Sequence, residues 1–230
     1  MKKLLLFIAI TFYWSRGSAQ QPAEHKDKLT ADITEQFQYT IESTKPVKNG
    51  FYKAFYKKKT LIADGTYKND KKTGVWHFFS AEGDVLEDFD YDSNKLLYEA
   101  PEQKDSRFKY AVDYNLTDSD IVIQPIKPGG RLFGYIPYLN ILKQVGDIPN
   151  LADGNCYVVL KLLVSPLGRL ADCNASIECG GSTPVVKNIN TDQLADDDKT
   201  FIPATYNKKK VASQIEVYCL INRFGELDIY

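Results

Sequence analysis

Residues 156–179 constrain the fold more than any other part of the chain, because their pattern predicts two strands joined by a tight turn. The first half, CYVVLKLLV, is rich in the β-branched and aliphatic residues that favour strands. An S-P-L-G sequence at 165–168 supplies a proline that presets φ and a glycine that tolerates positive φ. The second half alternates between apolar and polar residues. We therefore predict an antiparallel β-hairpin.

Pairing of Val164 with Arg169 sets the predicted register of this hairpin. Leu162 then lies opposite Ala171, and one row of apolar side chains points inward. The other row of the second strand is polar and consists of Asp172, Asn174, Ser176 and Glu178. One face of the sheet is therefore expected to be buried and the other to face water, so that a helix or a second layer must cover it.

Candidates for this cover lie on both sides of the hairpin in the sequence. After P-G-G at 128–130, apolar residues recur at helical spacing, which predicts a helix of about three turns. After the hairpin, a short helix is predicted at 184–189. A last strand with one apolar face is predicted at 211–221. The apolar positions of the first helix are Leu132, Phe133, Ile136, Leu139 and Leu142.

Composition and charge limit the class of partner. The chain has 230 residues, of which 43% are hydrophobic, and its 29 basic and 30 acidic side chains give a net charge of −1. That hydrophobic content suffices for one large or two small globular domains. The near-zero charge gives no general attraction to nucleic acid or to an anionic membrane, so we expect a protein or a neutral ligand as partner.

The first residues have the pattern of a secretory signal peptide. Two lysines precede an apolar run at 4–14, and Gly17, Ser18 and Ala19 are the small residues that signal peptidase requires. The apolar run is shorter than the roughly 20 residues of a membrane-spanning helix. We therefore predict a cleaved signal peptide at 1–19, export of the chain, and no stable membrane span after cleavage.

Residues 49–99 predict consecutive antiparallel hairpins, because short aromatic strands alternate there with glycine and asparagine turns. The motif G-x-Y-x-N-x-x-x-x-G-x-W-x-x-F resembles the bacterial variant of MORN-type repeats, and this resemblance implies a non-catalytic scaffold of β-hairpins. Residues 20–48 are interpreted as a lead-in segment and residues 100–120 as a connector. The matching positions are Gly65, Tyr67, Asn69, Gly74, Trp76, Phe79 and Gly83.

The order of elements from 121 onward resembles the C-terminal domain of the TonB family. The resemblance rests on P-G-G at 128–130, G-x-x-Y-V-V at 154–159, V-S-P-L-G-R-L at 164–170, F-I-P-A at 201–204 and N-K-K-K-V-A-S at 207–213. It implies an α+β domain at 121–230, in which a covering helix packs on a three-stranded antiparallel sheet. The first hairpin strand is then central, with the second hairpin strand on one side and the strand near 211–221 on the other.

In the TonB family the last of these strands lies at the edge of the sheet and captures an extended peptide by strand addition, which needs unpaired backbone groups and little side-chain chemistry. The resemblance therefore implies that a protein partner, for instance an outer-membrane transporter, binds here. The residues of the predicted binding edge are Ser213, Gln214, Ile215, Glu216, Val217, Tyr218, Cys219 and Leu220.

The same strand order bears on the cysteines. Cys173 and Cys179 lie on one strand and about 20 Å apart, too far for a disulfide. Cys156 on the central strand can reach Cys179 on one side or Cys219 on the other, and the favoured bridge is Cys156–Cys219. The alternative is that all of these thiols are small buried hydrophobic groups that never pair.

No pattern in the sequence predicts catalysis, a metal or a cofactor. The two histidines are far apart, and no nucleophile motif or phosphate-binding loop is present. We therefore expect a non-catalytic periplasmic binding protein that engages a protein partner by edge-strand addition. The alternative is a structural, envelope-associated protein that makes no contact with transporters.

Overall fold

A computed structural model describes residues 22–142, 156–180, 183–221 and 227–229. Over these residues the chain is mostly β, with 56% in strands and 7% helical. The predicted α+β class with a three-stranded C-terminal sheet is therefore wrong: the strands form three sheets of seven, six and three strands, accompanied by one short α-helix. The predicted signal peptide at 1–19 lies outside the described residues.

The seven-stranded sheet is an antiparallel meander in which each strand pairs with the next one in the chain. It already begins in the segment interpreted as a lead-in, because the first two strands and the start of the third lie before residue 49. In β2 the side chains of Ile33 and Phe37 are buried in the hydrophobic core, whereas all residues of β1 are exposed. The strands are β1 (Ala23–Lys28), β2 (Ile33–Glu42), β3 (Lys45–Tyr56), β4 (Thr60–Lys68), β5 (Lys71–Phe79), β6 (Val85–Asp90) and β7 (Lys95–Glu99).

Tight turns and close packing explain the residues that repeat along the meander. Asn69 and Asp70 have φ values of 52° and 62° in the β4–β5 turn, as type I′ hairpin turns require. Gly65 in β4 lies beneath the buried indole of Trp76 in β5, and a Cβ at this position would come within 2.2 Å of the ring. Only glycine lets the strand pass so close to Trp76.

The six-stranded sheet has the order β12-β11-β10-β15-β16, and β8 pairs with β15 as well. A small third sheet has the order β14-β13-β9. The strands of these two sheets are β8 (Phe108–Val112), β9 (Val122–Ile123), β10 (Cys156–Val164), β11 (Leu170–Cys179), β12 (Val185–Asn188), β13 (Thr205–Tyr206), β14 (Lys209–Lys210), β15 (Ser213–Ile221) and β16 (Leu227–Asp228).

The β10–β11 hairpin is present, but its register differs from the predicted one. Leu162 pairs with Cys173 and not with Ala171, because a bulge next to Leu163 and Val164 inserts an extra residue. Val164 pairs with Leu170 instead of Arg169, a shift of one residue, and the bulge adds the second. From Asp172 onward every side chain keeps its predicted face, whereas Leu170 turns to the buried face and the bulged Ala171 is exposed. The buried row of β11 accordingly contains Cys173, Ala175 and Ile177.

Three further expectations need correction. The predicted three-turn helix is a 3₁₀ turn, Phe133–Tyr135, followed by the helix α1 (Ile136–Leu142). The candidate helix at 184–189 is the strand β12, in line with its two β-branched valines. The connector at 100–120 contains β8, which pairs with a strand about a hundred residues away in the sequence.

One hydrophobic core joins the meander to the six-stranded sheet. The ring of Phe133 lies 5.8 Å from the ring of Tyr52 in β3 and 5.8 Å from that of Phe78 in β5. Tyr138 and Leu139 of α1 are buried within the same cluster. No helix in the described part of the chain is long and apolar enough to cross a membrane.

Candidate functional site

The predicted binding edge, Ser213 to Leu220, lies in β15 and is paired on both sides. Val217 lies opposite Leu160 of β10 on one side and opposite Phe108 of β8 on the other. Near its end, Leu220 pairs with Asp228 of β16. The prediction that β15 is an open edge is therefore wrong, because β8 and β16 occupy the position that a partner strand would take.

The outer edge on this side of the sheet belongs to β8. The N–H of Tyr218 donates a hydrogen bond to the carbonyl oxygen of Arg107 at 2.9 Å. Since hydrogen-bonded pairs alternate along an antiparallel ladder, Lys109 and Ala111 direct their backbone groups towards β15. The N–H and C=O of Tyr110 therefore point the other way, where no strand of the described chain pairs with β8.

Three neighbouring cavities are lined by residues of β8 or next to it, and we call them together the β8 groove. One of about 340 Å³ lies beside Arg107 and Phe108. A second of about 370 Å³ lies at Tyr110, and a third of about 360 Å³ extends from Tyr110 to Val112. Neighbouring cavities share lining residues, so together they span the five residues of β8. The wall opposite β8 consists of residues 99–102 and 122–125.

Two carboxyl groups form part of the floor of the groove. Glu87 of β6 is fully buried and accepts a hydrogen bond from the N–H of Gly129 at 2.7 Å. The carboxyl groups of Glu87 and Glu99 influence each other's pKa, and the Oε2 atom of each is buried without a hydrogen-bond partner among the described groups. Burial raises the pKa of Glu87 to about 7, and burial together with the charge of Glu87 raises the pKa of Glu99 to about 8. At neutral pH the two groups therefore share a proton.

Arg131 holds the wall opposite β8 in place. Its Nη1 atom lies 3.2 Å from Glu99 and 3.1 Å from Glu102, and its Nη2 atom donates to the carbonyl oxygen of Ala100 at 3.0 Å. The hydroxyl of Tyr110 donates to the same Glu102 at 3.1 Å. Burial, followed by the charge of Glu102, raises the pKa of Tyr110. The hydroxyl remains a neutral donor that ties β8 to this wall.

The buried lysine that lines the groove has a structural role. Lys127 is buried, and its Nζ atom donates to the carbonyl oxygens of Pro128 at 3.2 Å and Asp197 at 3.1 Å. Burial lowers its pKa to about 8. In the described part of the chain, no group of three His, Cys, Asp or Glu side chains is placed to hold a metal ion. The charged groups of the floor are engaged with one another, which suits a rigid binding surface.

The disulfide pairing of the cysteines differs from the favoured Cys156–Cys219 bridge. Cys173 and Cys219 are free thiols, and Cys179 is disulfide-bonded. The backbone register explains why the Cys156–Cys219 bridge is absent: Cys219 lies opposite Val158, and Cys156 lies opposite Cys179. Burial raises the pKa of both free thiols to about 12.

No protein-family model, curated protein or solved structure matches this chain. The resemblances to the TonB C-terminal domain and to MORN-type repeats therefore remain predictions.

Sequence reasoning missed the residues of the groove, although two signals were present. Glu87 and Phe89 lie two residues apart in β6 and therefore share the inward face of a half-buried strand. An acidic residue at such a position needs a specific partner. Tyr110 lies in F-K-Y-A-V, an apolar interruption of a polar segment. That interruption indicates a short strand but does not reveal which strand it pairs with.

Proposed function

We propose that the protein is a non-catalytic, exported binding protein of the periplasm that takes an extended segment of a protein partner along the outer edge of β8. The observation that carries this proposal is the pair of backbone groups of Tyr110, which point into a groove as long as the strand itself. An added strand gains its affinity from such main-chain groups. The partner class expected from the sequence, an outer-membrane transporter or another envelope protein, is retained as part of the proposal.

The depth of the groove supports strand addition. Edge strands of monomeric proteins are normally protected by charge, by a bulge or by a covering segment. Here residues 99–102 and 122–125 line cavities together with Phe108, Tyr110, Ala111 and Val112 of β8. The ion pairs of Arg131 with Glu99 and Glu102 hold this wall in place.

A proline substitution at one position tests this proposal. Tyr110→Pro removes the N–H that points into the groove but leaves the hydrogen bonds of Lys109 and Ala111 with β15, and proline is tolerated on edge strands. Tyr110→Phe is the matched control, because it keeps the backbone donor. Peptides that bind the full chain are first selected from a displayed random library. Their affinity for each variant is then measured by fluorescence anisotropy. We expect them to bind the proline variant at least tenfold more weakly than the parent chain.

The same peptides should bind the phenylalanine variant within about threefold of the parent chain. Urea unfolding of both variants shows whether the fold is retained. Equal affinity for the folded proline variant would overturn strand addition at β8.

A second candidate is a structural, envelope-associated protein with no transporter contact. The observation that favours it is the pairing of β15 with β10, β8 and β16, which closes the edge where a transporter peptide was expected. A library selection that yields no peptide, repeated with purified periplasmic segments of transporters and again without binding, would favour this candidate.

A further inference from the structure

We infer that the partner segment is cationic where it meets the Arg107 end of the β8 groove and apolar where it meets the Val112 end. This inference rests on the proposed function and specifies the chemistry of its ligand. It follows from the side chains that line the groove, whose charge and polarity change from one end of β8 to the other.

The Arg107 end is acidic. Its cavity is lined by the carboxylates of Glu82, Asp84, Glu102 and Asp105, against the two guanidinium groups of Arg107 and Arg131. Arg131 is already paired with Glu102 and with Glu99, a residue of the neighbouring cavity. An excess of negative charge therefore remains at this end and attracts Lys or Arg side chains.

Three of these carboxylates are free to meet a ligand. Glu82, Asp84 and Asp105 are exposed, and none of their side chains makes a hydrogen bond or ion pair within the described chain. A cationic side chain of the partner can approach them without breaking an existing contact. Their exposure also makes the attraction sensitive to salt.

The Val112 end has the opposite character. Its cavity is lined by Tyr110, Ala111, Val112, Leu116, Val122, Gln124 and Pro125, a set without a charged side chain. Leu116 is 55% exposed and Ile123 beside this cavity is 57% exposed. An apolar side chain of the partner would cover these surfaces and gain about 25 cal/mol for each Å² of apolar area removed from water.

The middle of the groove is close to neutral and separates the two ends. Glu87 and Glu99 share a proton, and Arg131 and Lys127 balance the remaining charge of this pair and of Glu102. The five residues of β8 span roughly 17 Å. This length exceeds the Debye length of about 8 Å at physiological salt, so the acidic end does not act on ligand groups at the apolar end.

Synthetic peptides with a β-forming core of Thr and Val provide the test. The first carries two lysines at its N-terminal end and two isoleucines at its C-terminal end, and the second has the reverse order, because a strand can add in either direction. In the third and fourth peptides, glutamate replaces lysine. We expect one of the lysine peptides to bind the full chain at least tenfold more tightly than its glutamate counterpart at 0.15 M salt.

Charge reversal on the protein completes the test. The triple variant Glu82→Lys/Asp84→Lys/Asp105→Lys should invert the preference and bind the glutamate peptide more tightly. The control Glu42→Lys/Asp92→Lys/Asp192→Lys changes the net charge equally, at exposed positions outside the groove, and should keep the preference for lysine. Inversion in the control as well would mean unspecific attraction and would overturn the inference.

The remaining outcomes separate this inference from the proposed function. If lysine and glutamate peptides bind equally and Tyr110→Pro weakens both, strand addition stands and the charge preference is wrong. If no peptide binds, the proposed function fails together with the inference. If peptides bind only after dilution has dissociated a dimer, a second copy of the chain occupies the groove and the inference is overturned.

Discussion

The backbone N–H of Gly129 donates a hydrogen bond of 2.7 Å to the buried carboxyl group of Glu87 and so ties the seven-stranded meander to the C-terminal part of the chain. Gly129 has a φ of 124°, and a Cβ there would lie 2.7 Å from the Cα of Gly134. The contact therefore depends on a glycine at this position. Glu87 in turn raises the pKa of Glu99, its neighbour in the floor of the β8 groove.

The shared proton makes stability depend on pH. The pKa values of Glu87 and Glu99 are about 7 and about 8 in the folded chain, above the value of 4.5 for an unperturbed glutamate. The folded state therefore binds more protons than the unfolded state, and stability is lost as pH rises from about 4.5 to about 8. We predict that the urea midpoint falls between pH 5 and pH 8.

The variant Glu99→Gln isolates this effect, because its amide donates to Glu87 without a titrating proton. Its urea midpoint should fall less steeply with pH than that of the parent chain over the same range. Parallel curves for the two proteins would contradict the shared proton. The range stops at pH 8 because Lys127, with a pKa lowered to about 8, adds a trend of opposite sign above it.

The contact between Gly65 and Trp76 predicts a steric cost. In Gly65→Ala the new methyl group would overlap the indole ring of Trp76, which is fully buried and cannot move away. We expect a loss of about 1–3 kcal/mol in the free energy of unfolding, measured by urea denaturation. Gly74→Asn serves as control, because Gly74 has a φ of 63° and nothing within 4 Å of an added Cβ. Asparagine tolerates this φ, so the control should change stability much less.

Burial predicts that the free thiols are inert. The pKa of Cys173 and of Cys219 is about 12 against an ordinary value of 9.0, so the thiolate fraction at pH 8 is about a thousandfold lower than that of an exposed cysteine. Iodoacetamide should leave the folded, oxidised chain unmodified. It should label both thiols after denaturation without reductant.

Peptide mapping of the same sample identifies the bridge. The strand register predicts that the peptide containing Cys179 is linked to the one containing Cys156, since the two residues lie opposite each other. A link from Cys179 to Cys219 would contradict the register, and labelling of four cysteines would contradict the bridge itself.

The sequence pattern predicted local structure better than long-range pairing. The alternation in β11 identified the face of the side chains from Asp172 to Glu178, although Ser176 of the polar row is buried. It was wrong at Leu170 and Ala171, because the turn pairs Val164 with Leu170 and the bulge at Ala171 leaves no signature in the sequence. The aromatic and glycine pattern identified strands within 49–99. β1 was missed because its residues are all exposed and show no alternation. β2 does alternate, with Ile33, Glu35 and Phe37 buried, but the acidic Glu35 within the buried row obscures the pattern.

The candidate site was missed for a physical reason of the same kind. Whether β15 is an open edge depends on pairing with β8, and the distance between these strands in the sequence hides that contact. The five residues of β8 carry only a weak strand pattern. The carboxyl pair of Glu87 and Glu99 likewise exists only after β6 and β7 have paired and the turn at 128–130 has docked on them.

Hydrogen exchange at two adjacent amides tests strand addition at β8 most directly. Residue-resolved exchange is measured on the full chain, alone and saturated with a library-selected peptide. The account predicts that the Tyr110 amide, which points into the groove, slows at least tenfold on binding, while the Ala111 amide, bonded to β15, keeps its rate. An unchanged Tyr110 amide, or an Ala111 amide that exchanges faster because the peptide has displaced β8, would contradict it.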